Sequence, residues 1–381
     1  MAKTNSEIGR TSIEPKVQMK LWAISGGRCE LCNRLLYQDL TFGVEGNFGE
    51  MAHIHAVSEG GPRHKFGMTS EDKNNIENLM LLCEEHHHMI DTFPDDFKDG
   101  HLLRKKRAHE SRIRSVTGIP DNETCRILSY FSNVDHQEEF SSERLFREAI
   151  LLSGRIPMQQ PVIRLNTDSD TRYDPSKSVF EKKANDLERE FKVWFNDLIK
   201  SEDSIGVFAL APQPLLLKLG SLINDQYNTS AFQCHRSGHK WAWPESKNAV
   251  DFLFYQTVVG KTDQVALVID LSAAVLDDRI TATLGDNASI FHLTTQNPCR
   301  TFVTSESVQN DFVQTFRTAM EAIKNQRPAP PEIHVFPVMP NSLAIRAGMD
   351  YMPKTDLPMI IYEQANPVEG FFEALTIGDS L

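Results

Sequence analysis

Short continuous runs of apolar residues alternate with amphipathic segments in the last two thirds of the chain. The apolar runs predict buried strands at residues 205–210, 265–272, 332–338 and 359–362. Segments whose apolar residues recur every three or four positions predict helices at residues 178–199, 215–223, 305–325 and 343–349. Because continuous apolar strands that alternate with helices are typical of a parallel sheet covered on both faces, we expect an α/β fold here.

A strand, a polar turn and a helix occur in the same order at residues 205–223 and at residues 333–349. This repetition favours two related halves. In open α/β sheets, ligands bind beyond the carboxyl ends of the strands. Amides and hydroxyls in such turns, close to helix N-termini, suit an anion. The turns therefore supply the first candidate ligand-binding residues, which are Pro212, Gln213, Ser272, Asn341, Ser342 and, one turn into the last helix, Arg346.

A second source of candidate ligand-binding residues is a segment with cations beside two tryptophans. Its candidates are Arg236, Lys240, Trp241 and Trp243. A cation beside Trp offers charge for a phosphate and a π face for a nucleobase. The alternative is that both tryptophans are packing residues, because alternating Trp is also an ordinary strand pattern.

The chain before residue 119 has short elements, paired glycines and clusters of Cys and His, followed by a basic helix at residues 102–114. Gly118 and Pro120 interrupt that helix. We expect a first domain over residues 1–118, a connector over residues 119–150 and a second domain over residues 151–381. The net charge is −12, and most of the acidic excess follows residue 119. An anion bound there should therefore be small and held in a local pocket.

Two ligand pairs, Cys29 with Cys32 and Cys83 with His86, have the spacing of metal-binding knuckles. Their soft donors predict a structural zinc site, since four protein ligands leave no position for a substrate. Two alternatives are a redox pair of cysteines and two unrelated pairs. No βαβ pattern surrounds Cys29 and Cys32, which disfavours the redox alternative.

The residues between and after these pairs resemble the HNH (ββα-metal) endonuclease family. They include His53 in a short strand, the glycine pair Gly60 and Gly61, Asn78 ahead of the second knuckle, and His87 directly after it. The resemblance spans about residues 17–110 and implies an α+β domain that hydrolyses phosphodiesters with a divalent ion such as Mg²⁺. It implies that His53 is the general base, that Asn78 holds the site, and that His87 binds the catalytic ion.

One position departs from the family pattern. Many members have a metal ligand directly before the catalytic His, and this chain has Ala52. In a strand His55 would share a face with His53, so His55 either supplies the missing ligand or exchanges roles with His53. His88 and Asp91 are further candidates. The basic helix suggests DNA-backbone contacts through Arg104, Lys105, Lys106 and Arg107, with a solvated helix face as the alternative.

The domain order resembles the HNH–SAVED effector nucleases of bacterial cyclic-oligonucleotide-based antiphage signalling (CBASS). The resemblance rests on an HNH module followed by a duplicated α/β region with strand–turn–helix segments at Phe208 and Phe336. It implies a SAVED domain of two fused CARF-like, Rossmann-type units that bind a cyclic di- or trinucleotide. It also implies oligomerisation on ligand binding and degradation of double-stranded DNA.

Three alternative functions stay open from the sequence. The alternatives are a restriction-type HNH enzyme that reads modified DNA, a non-catalytic zinc-organised DNA-binding protein, and a phosphodiesterase that opens the messenger ring in the second domain. We expect a cytoplasmic protein, because no apolar run approaches the roughly 20 residues that span a bilayer and the first residues, Met1 to Glu7, contain no apolar leader.

Overall fold

The structure is a computed structural model, and it describes residues 12–39, 41–56, 58, 60–132, 140–165, 176–199, 204–236, 240–244, 249–366 and 370–378. The chain divides into two compact units at residue 119. In the described residues, no helix combines the length and the apolar character that a membrane span needs.

Unit 1 is built around an antiparallel hairpin and the helix that follows it. Its elements are α1 (Pro15–Ile24), β1 (Gly49–His53), α2 (Ser70–Lys73), a short 3-10 helix (Ile76–Asn78), β2 (Leu79–Cys83), α3 (Glu84–Thr92) and α4 (Asp99–Thr117). Gly49 lies opposite Cys83 and His53 lies opposite Leu79. Every residue of β2 is buried, so this strand runs through the centre of the small core.

Unit 2 has two sheets. The first contains β3 (Thr124–Phe131), β4 (Ile156–Pro157), β5 (Ile163–Leu165), β6 (Ser204–Leu210) and β7 (Thr229–Phe232). All of its strand pairs are parallel, and β3 lies between β4 and β6. The second sheet contains β8 (Phe252–Val258), β9 (Val265–Asp270), β10 (Ser289–Thr295), β11 (Ile333–Val338), β12 (Met359–Asn366) and β13 (Gly370–Ile377). Its order is β13-β12-β11-β9-β10-β8, with antiparallel pairs only at the two edges.

The helices of unit 2 are α5 (Glu143–Leu152), α6 (Lys177–Ile199), α7 (Gln213–Ile223), α8 (Asp277–Leu284), α9 (Glu306–Lys324) and α10 (Asn341–Asp350). The parallel α/β fold predicted from the apolar runs is thus present, with the second and third predicted strands at β9 and β11. The apolar face of α9 is buried, including Phe312 and Phe316, as the three-to-four spacing predicts.

Helices α7 and α10 pack backbone to backbone. A Cβ added at Gly220 would lie 2.1 Å from the carbonyl oxygen of Ile345, and one added at Gly348 would lie 2.1 Å from that of Leu217. The two glycines are separated along the chain by the same interval as Leu217 and Ile345. Helices α7 and α10 therefore contact each other through equivalent residues, as a two-fold symmetric pair would. This symmetry supports the two related halves inferred from the sequence.

The segment predicted as a connector contains part of the second unit. Residues 124–131 form β3, which pairs with β6 from Cys125 to Phe131, and residues 143–152 form α5. The mixed polar and apolar pattern of this stretch concealed a strand whose last five residues are all buried.

Candidate functional sites

Four predicted metal ligands converge in unit 1. The ligand atoms of Cys29, Cys32, Cys83 and His86 all lie within 4.8 Å of one another. Cys32 Sγ is 3.9 Å from Cys83 Sγ, and Cys83 Sγ is 3.1 Å from His86 Nδ1. With Zn–S bonds of about 2.3 Å, the edge of a tetrahedral site is about 3.8 Å long. The geometry and the donor set therefore fit a four-coordinate soft metal ion.

Local backbone hydrogen bonds form this cluster. The turn after Cys29 closes through the N–H of Asn33, which donates to Cys29 O at 2.8 Å, and the N–H of Glu30 donates to Leu81 O at 2.9 Å. The turn is thereby tied to β2, which ends at Cys83. Partial desolvation and the neighbouring Cys29 and Cys83 thiols raise the pKa of the exposed Cys32 thiol, so a thiolate at this position needs the compensating charge of an ion.

Asn78 joins the end of β1 to the start of β2. Its Oδ1 accepts a hydrogen bond from the N–H of His55 at 2.9 Å, and its Nδ2 donates to the carbonyl oxygens of His55 and Lys73 at 3.0 and 2.9 Å. The residue is 5% exposed. All of these partners are backbone groups, so the Asn78 amide fixes the path of the chain beyond His53.

The two candidate base histidines occupy different settings. Nε2 of His53 lies 3.1 Å from Asn74 Oδ1, so with that oxygen as acceptor Nε2 carries the proton and Nδ1 is the basic nitrogen. β1 ends at His53, which means that His55 does not share a strand face with it as expected. Nδ1 of His55 lies 3.1 Å from the carbonyl oxygen of Arg63, which leaves Nε2 for a ligand.

Arg63 connects the segment after β1 to α3. Its side chain is 6% exposed, and its Nε donates to Ile54 O at 2.8 Å. The same guanidinium donates to the carbonyl oxygen of Ile90 and lies 3.3 Å from Asp91 Oδ1. It therefore positions the loop that carries His55 against the helix that carries His87.

The predicted catalytic-ion ligands lie on α3 and in the loop after β1. Nε2 of His87 is 3.5 Å from Asp91 Oδ2, and Nδ1 of His87 is 4.0 Å from Glu50 Oε2. His55 and Asp91 line the same cavity, of about 850 Å³. Within the described part of the chain, however, Cys29, Cys32, Cys83 and His86 form the only group of three or more potential ligands that converge closely. His88 lies one turn from Thr92, with 3.5 Å between Nε2 and Oγ1.

One predicted DNA contact is wrong. Arg104, Lys105 and Arg107 are exposed on α4, but Lys106 is only 2% exposed and forms an ion pair with Glu110. The ammonium group of Lys106 also lowers the pKa of Glu30, although burial dominates and raises that pKa to about 7. The charge of Lys106 thus belongs to the interior of unit 1.

Unit 2 contains a cavity of about 720 Å³ at the carboxyl ends of its strands. Four predicted ligand-binding residues line it, namely Gln213, Arg236, Ser272 and Asn341. Arg300 provides a second guanidinium. The helices α7 and α10 begin at Gln213 and Asn341, so both present their N-terminal ends to the cavity. Two helix N-termini and two guanidinium groups favour an anionic ligand.

A polar side chain from the other half of unit 2 lies at the N-terminus of each of these two helices. Gln233, just after β7, accepts hydrogen bonds at Oε1 from the backbone N–H and Oγ–H of Ser342, at 3.1 and 2.8 Å. The carboxyl group of Glu363 in β12 faces the backbone N–H of Gln213, which favours the ionised form of that carboxyl group. The side chain at one helix end is thus a neutral amide, and the side chain at the other is an acid.

The comparisons with known proteins bear on unit 2. Residues 187–377 match the family model of the SMODS-associated and fused to various effectors sensor domain, SAVED, which is half of the chain. The chain belongs to the SAVED family. The match does not include unit 1, whose assignment as an HNH nuclease stays a prediction. No curated protein matches the chain.

Two solved structures illustrate the similarity. The Acinetobacter baumannii Cap4 SAVED/CARF-domain containing receptor with the cyclic trinucleotide 2′3′3′-cAAA is 12% identical, with a TM-score of 0.42, over 82% of this chain and 67% of that chain. The Moraxella osloensis Cap4 SAVED/CARF-domain containing receptor is 12% identical, with a TM-score of 0.39, over 77% of this chain and 60% of that one.

Six predicted ligand residues of the SAVED domain do not line the cavity. Trp241 is 1% exposed and its indole N–H donates to Phe140 O at 2.8 Å, while the ring of Trp243 stacks on Phe232. Both are packing residues, the alternative left open by the sequence. The other four are Pro212, which precedes α7, Lys240, which lies over the Phe140 ring, Ser342, which is fully buried, and Arg346, which lines a separate cavity of about 290 Å³.

Several residues of the SAVED cavity were missed by the sequence argument. They include Gln233, Cys234, His235, Arg300, Thr301, Thr304, Glu363 and Gln364. Gln233 and Cys234 directly follow β7, and this position beyond a strand end was an available signal. Glu363 lies inside β12, so its sequence context predicts only a strand residue.

Proposed function

We propose that this chain is a metal-dependent endonuclease for double-stranded DNA that is activated when a cyclic di- or trinucleotide binds to its SAVED domain. The observation that carries the proposal is the cavity of the SAVED domain. It combines two helix N-termini with Arg236 and Arg300, in a chain with net charge −12. A small ligand with several phosphates fits this local positive potential.

The DNA-cleaving role of unit 1 rests on its site residues and on the HNH resemblance. His53 would accept the proton of the attacking water through Nδ1, and Asn78 and Arg63 hold the segment that follows it. A divalent ion such as Mg²⁺, held by His87 with His55 or Asp91, would stabilise the charge that develops on the phosphate. Zinc at the four-ligand cluster would be structural, since no coordination position stays open.

Ligand binding can control cleavage through assembly. A ligand shifts an equilibrium only if it binds one state more tightly than the other. Copies brought together by the ligand would present several sets of Arg104, Lys105 and Arg107 to one DNA molecule, which raises the effective concentration of DNA contacts. The acidic excess of the chain keeps the affinity of a single copy for DNA low.

The test of the catalytic claim uses His53→Ala, with His101→Ala as the matched control, because His101 is an exposed histidine of α4. Plasmid DNA is incubated with each protein, Mg²⁺ and a panel of cyclic di- and trinucleotides. We expect the His53 variant to lose cleavage while DNA binding and zinc content stay unchanged, and the His101 variant to cleave normally. Cleavage by the His53 variant at the same rate as by the His101 variant would contradict the assignment of His53 as the general base.

A further inference from the structure

Glu363 provides the only carboxyl group among the described residues that line the SAVED cavity. Its position is unexpected, because a carboxylate repels the phosphates that Arg236 and Arg300 attract. An acid in an anion-binding cavity therefore needs a partner other than phosphate. Within a cyclic oligonucleotide, the groups that complement a carboxylate are the N–H donors of the nucleobases.

One oxygen of this carboxyl group is available to such a partner. Oε1 accepts a hydrogen bond from the backbone N–H of Gln364 at 3.0 Å. Oε2 is buried and has no hydrogen-bond partner among the described residues. A buried acceptor without a donor costs about 1–3 kcal/mol, and a ligand N–H would remove that cost.

The two halves of the cavity differ at this point. In the other half the equivalent helix end is bonded by Gln233, whose Oε1 already accepts two hydrogen bonds from Ser342. Glu363 Oε2 is the carboxyl oxygen among the buried cavity atoms without a partner, and the others in the described residues belong to an amide, an imidazole and a hydroxyl, at Gln213 Oε1, His235 Nε2 and Thr304 Oγ1. The two nucleotides of a ligand would meet chemically different surroundings, which favours a different base in each half.

We propose that Glu363 determines the base specificity of the SAVED domain by accepting hydrogen bonds from the N1–H and N2–H groups of a guanine. This inference rests on the proposed binding of a cyclic oligonucleotide in this cavity. Guanine presents these two donors side by side. Adenine and cytosine each place an acceptor next to their amino group, and uracil has its N–H between two acceptors. A carboxylate therefore matches guanine best.

The pH dependence of binding follows from the ionisation of Glu363. Burial raises its pKa to about 7, although backbone N–H groups of Gln364 and Gln213 favour the carboxylate. The other titratable groups of the cavity are Cys234, whose pKa burial raises to about 12, and His235, whose pKa burial lowers. Neither group changes its charge as the pH rises from 7 to 8, and arginine side chains are not deprotonated in proteins. Since guanine binds the carboxylate, its affinity should increase as the pH rises through about 7.

The decisive variant is Glu363→Gln, which is isosteric and keeps an acceptor for the backbone N–H groups. A glutamine amide matches adenine, because it offers an acceptor and a donor side by side. Binding of cyclic di-GMP, cyclic GMP–AMP, cyclic di-AMP and the guanine-containing and all-adenine cyclic trinucleotides is measured by calorimetry at pH 6.5 and 8. Glu332→Gln is the matched control, because Glu332 lies before β11 and does not line the cavity.

We expect the unsubstituted protein and the Glu332 variant to prefer guanine-containing ligands about tenfold or more. The Glu363 variant should lose that preference, bind adenine-containing ligands relatively better and lose the pH dependence. An unchanged ranking in the Glu363 variant, or tightest binding of an all-adenine ligand by the unsubstituted protein, would overturn the inference while leaving the binding function intact. If no cyclic nucleotide binds to the unsubstituted protein, the proposed function fails and the inference fails with it.

Discussion

The two units differ in the interactions that stabilise the interior of each one. Unit 1 contains the candidate metal-ligand cluster, which is partly buried, and three titratable side chains in its interior, Glu30, Lys106 and His109, which are each at most 7% exposed. The interior of unit 2 is a large apolar core with the close helix contact at Gly220 and Gly348. The buried apolar cluster of unit 1 is much smaller than that of unit 2, so we expect the stability of unit 1 to depend on a bound metal ion and that of unit 2 to depend on close packing.

The largest effect that distinguishes the units is loss of the metal. Cys83→Ser removes one of four ligands, and structural zinc contributes about 10–16 kcal/mol in small zinc domains. We expect unit 1 to unfold while unit 2 keeps its melting transition in calorimetry. Cys299→Ser, at an exposed cysteine, is the control and should change neither transition. An unchanged unit 1 transition in the Cys83 variant would show that packing suffices there.

The next largest effect concerns the buried cation of unit 1. Lys106→Met keeps the volume of the side chain but leaves Glu110 and Glu30 without their ammonium partner. We expect a loss of about 3 kcal/mol in the free energy of unfolding of unit 1, measured by denaturant titration.

Lys105→Met is the matched neighbour, because Lys105 is exposed. It should change stability by less than about 0.5 kcal/mol and should weaken DNA binding with a reduced salt dependence. Equal stability of the two variants would contradict an interior role for Lys106.

A smaller effect tests packing in unit 2. Gly348→Ala would place a methyl group 2.1 Å from the carbonyl oxygen of Leu217, and overpacking of this kind costs about 1–3 kcal/mol. The unit 2 transition should fall and the unit 1 transition should stay.

Gly100→Ala in α4 is the control for this variant. Its nearest neighbour is an Arg104 side-chain nitrogen at 3.7 Å, so it should not destabilise either unit. A Gly348 variant as stable as the unsubstituted protein would mean that α7 and α10 separate at little cost.

The smallest effect concerns the pH dependence of unit 2. His292 lies 2.8 Å from Asp277 Oδ1 and 3.4 Å from Asp270 Oδ1. Burial lowers its pKa, but the two carboxylates outweigh burial and raise the pKa above the ordinary value of 6.5. The attraction between protonated His292 and the two carboxylates therefore stabilises unit 2 fully below about pH 6.5. It is lost as the pH rises through the raised pKa of His292.

His292→Gln should remove this part of the pH dependence, on the order of 1 kcal/mol, in melting curves of unit 2 between pH 6 and 9. His101→Ala, in unit 1, should leave the unit 2 curves unchanged. A pH profile of unit 2 that is identical with and without His292 would contradict the account.

The sequence predicted those features that depend on local pattern. Continuous apolar runs identified β6, β9, β11 and β12, and the spacing of Cys29, Cys32, Cys83 and His86 identified a cluster that the fold brings together. The burial of Lys106 could also have been predicted from the sequence. Leu102, Lys106 and His109 are spaced by four and three residues, and all three are buried on one face of α4. A run of basic residues concealed this periodicity.

Other features depend on contacts between distant residues. The edge strand β8 was not predicted, although it begins with an apolar run at residues 252–255, and most of its residues are exposed. The approach of Glu363 to the start of α7 and the hydrogen bond between Gln233 and Ser342 of α10 each join residues more than one hundred positions apart. Glu363 reaches the cavity because the two halves of unit 2 pack together. The residues next to Glu363 in the sequence do not indicate this contact.

The central claim is that a ligand in unit 2 controls cleavage by unit 1. The most direct measurement is the rate of plasmid cleavage in Mg²⁺ at fixed protein concentration as a cyclic di- or trinucleotide is titrated, with assembly state followed by light scattering. The account predicts little cleavage without ligand and a steep rise with ligand that coincides with assembly and is absent in His53→Ala. Cleavage at the same rate without any ligand would contradict gating by the SAVED domain.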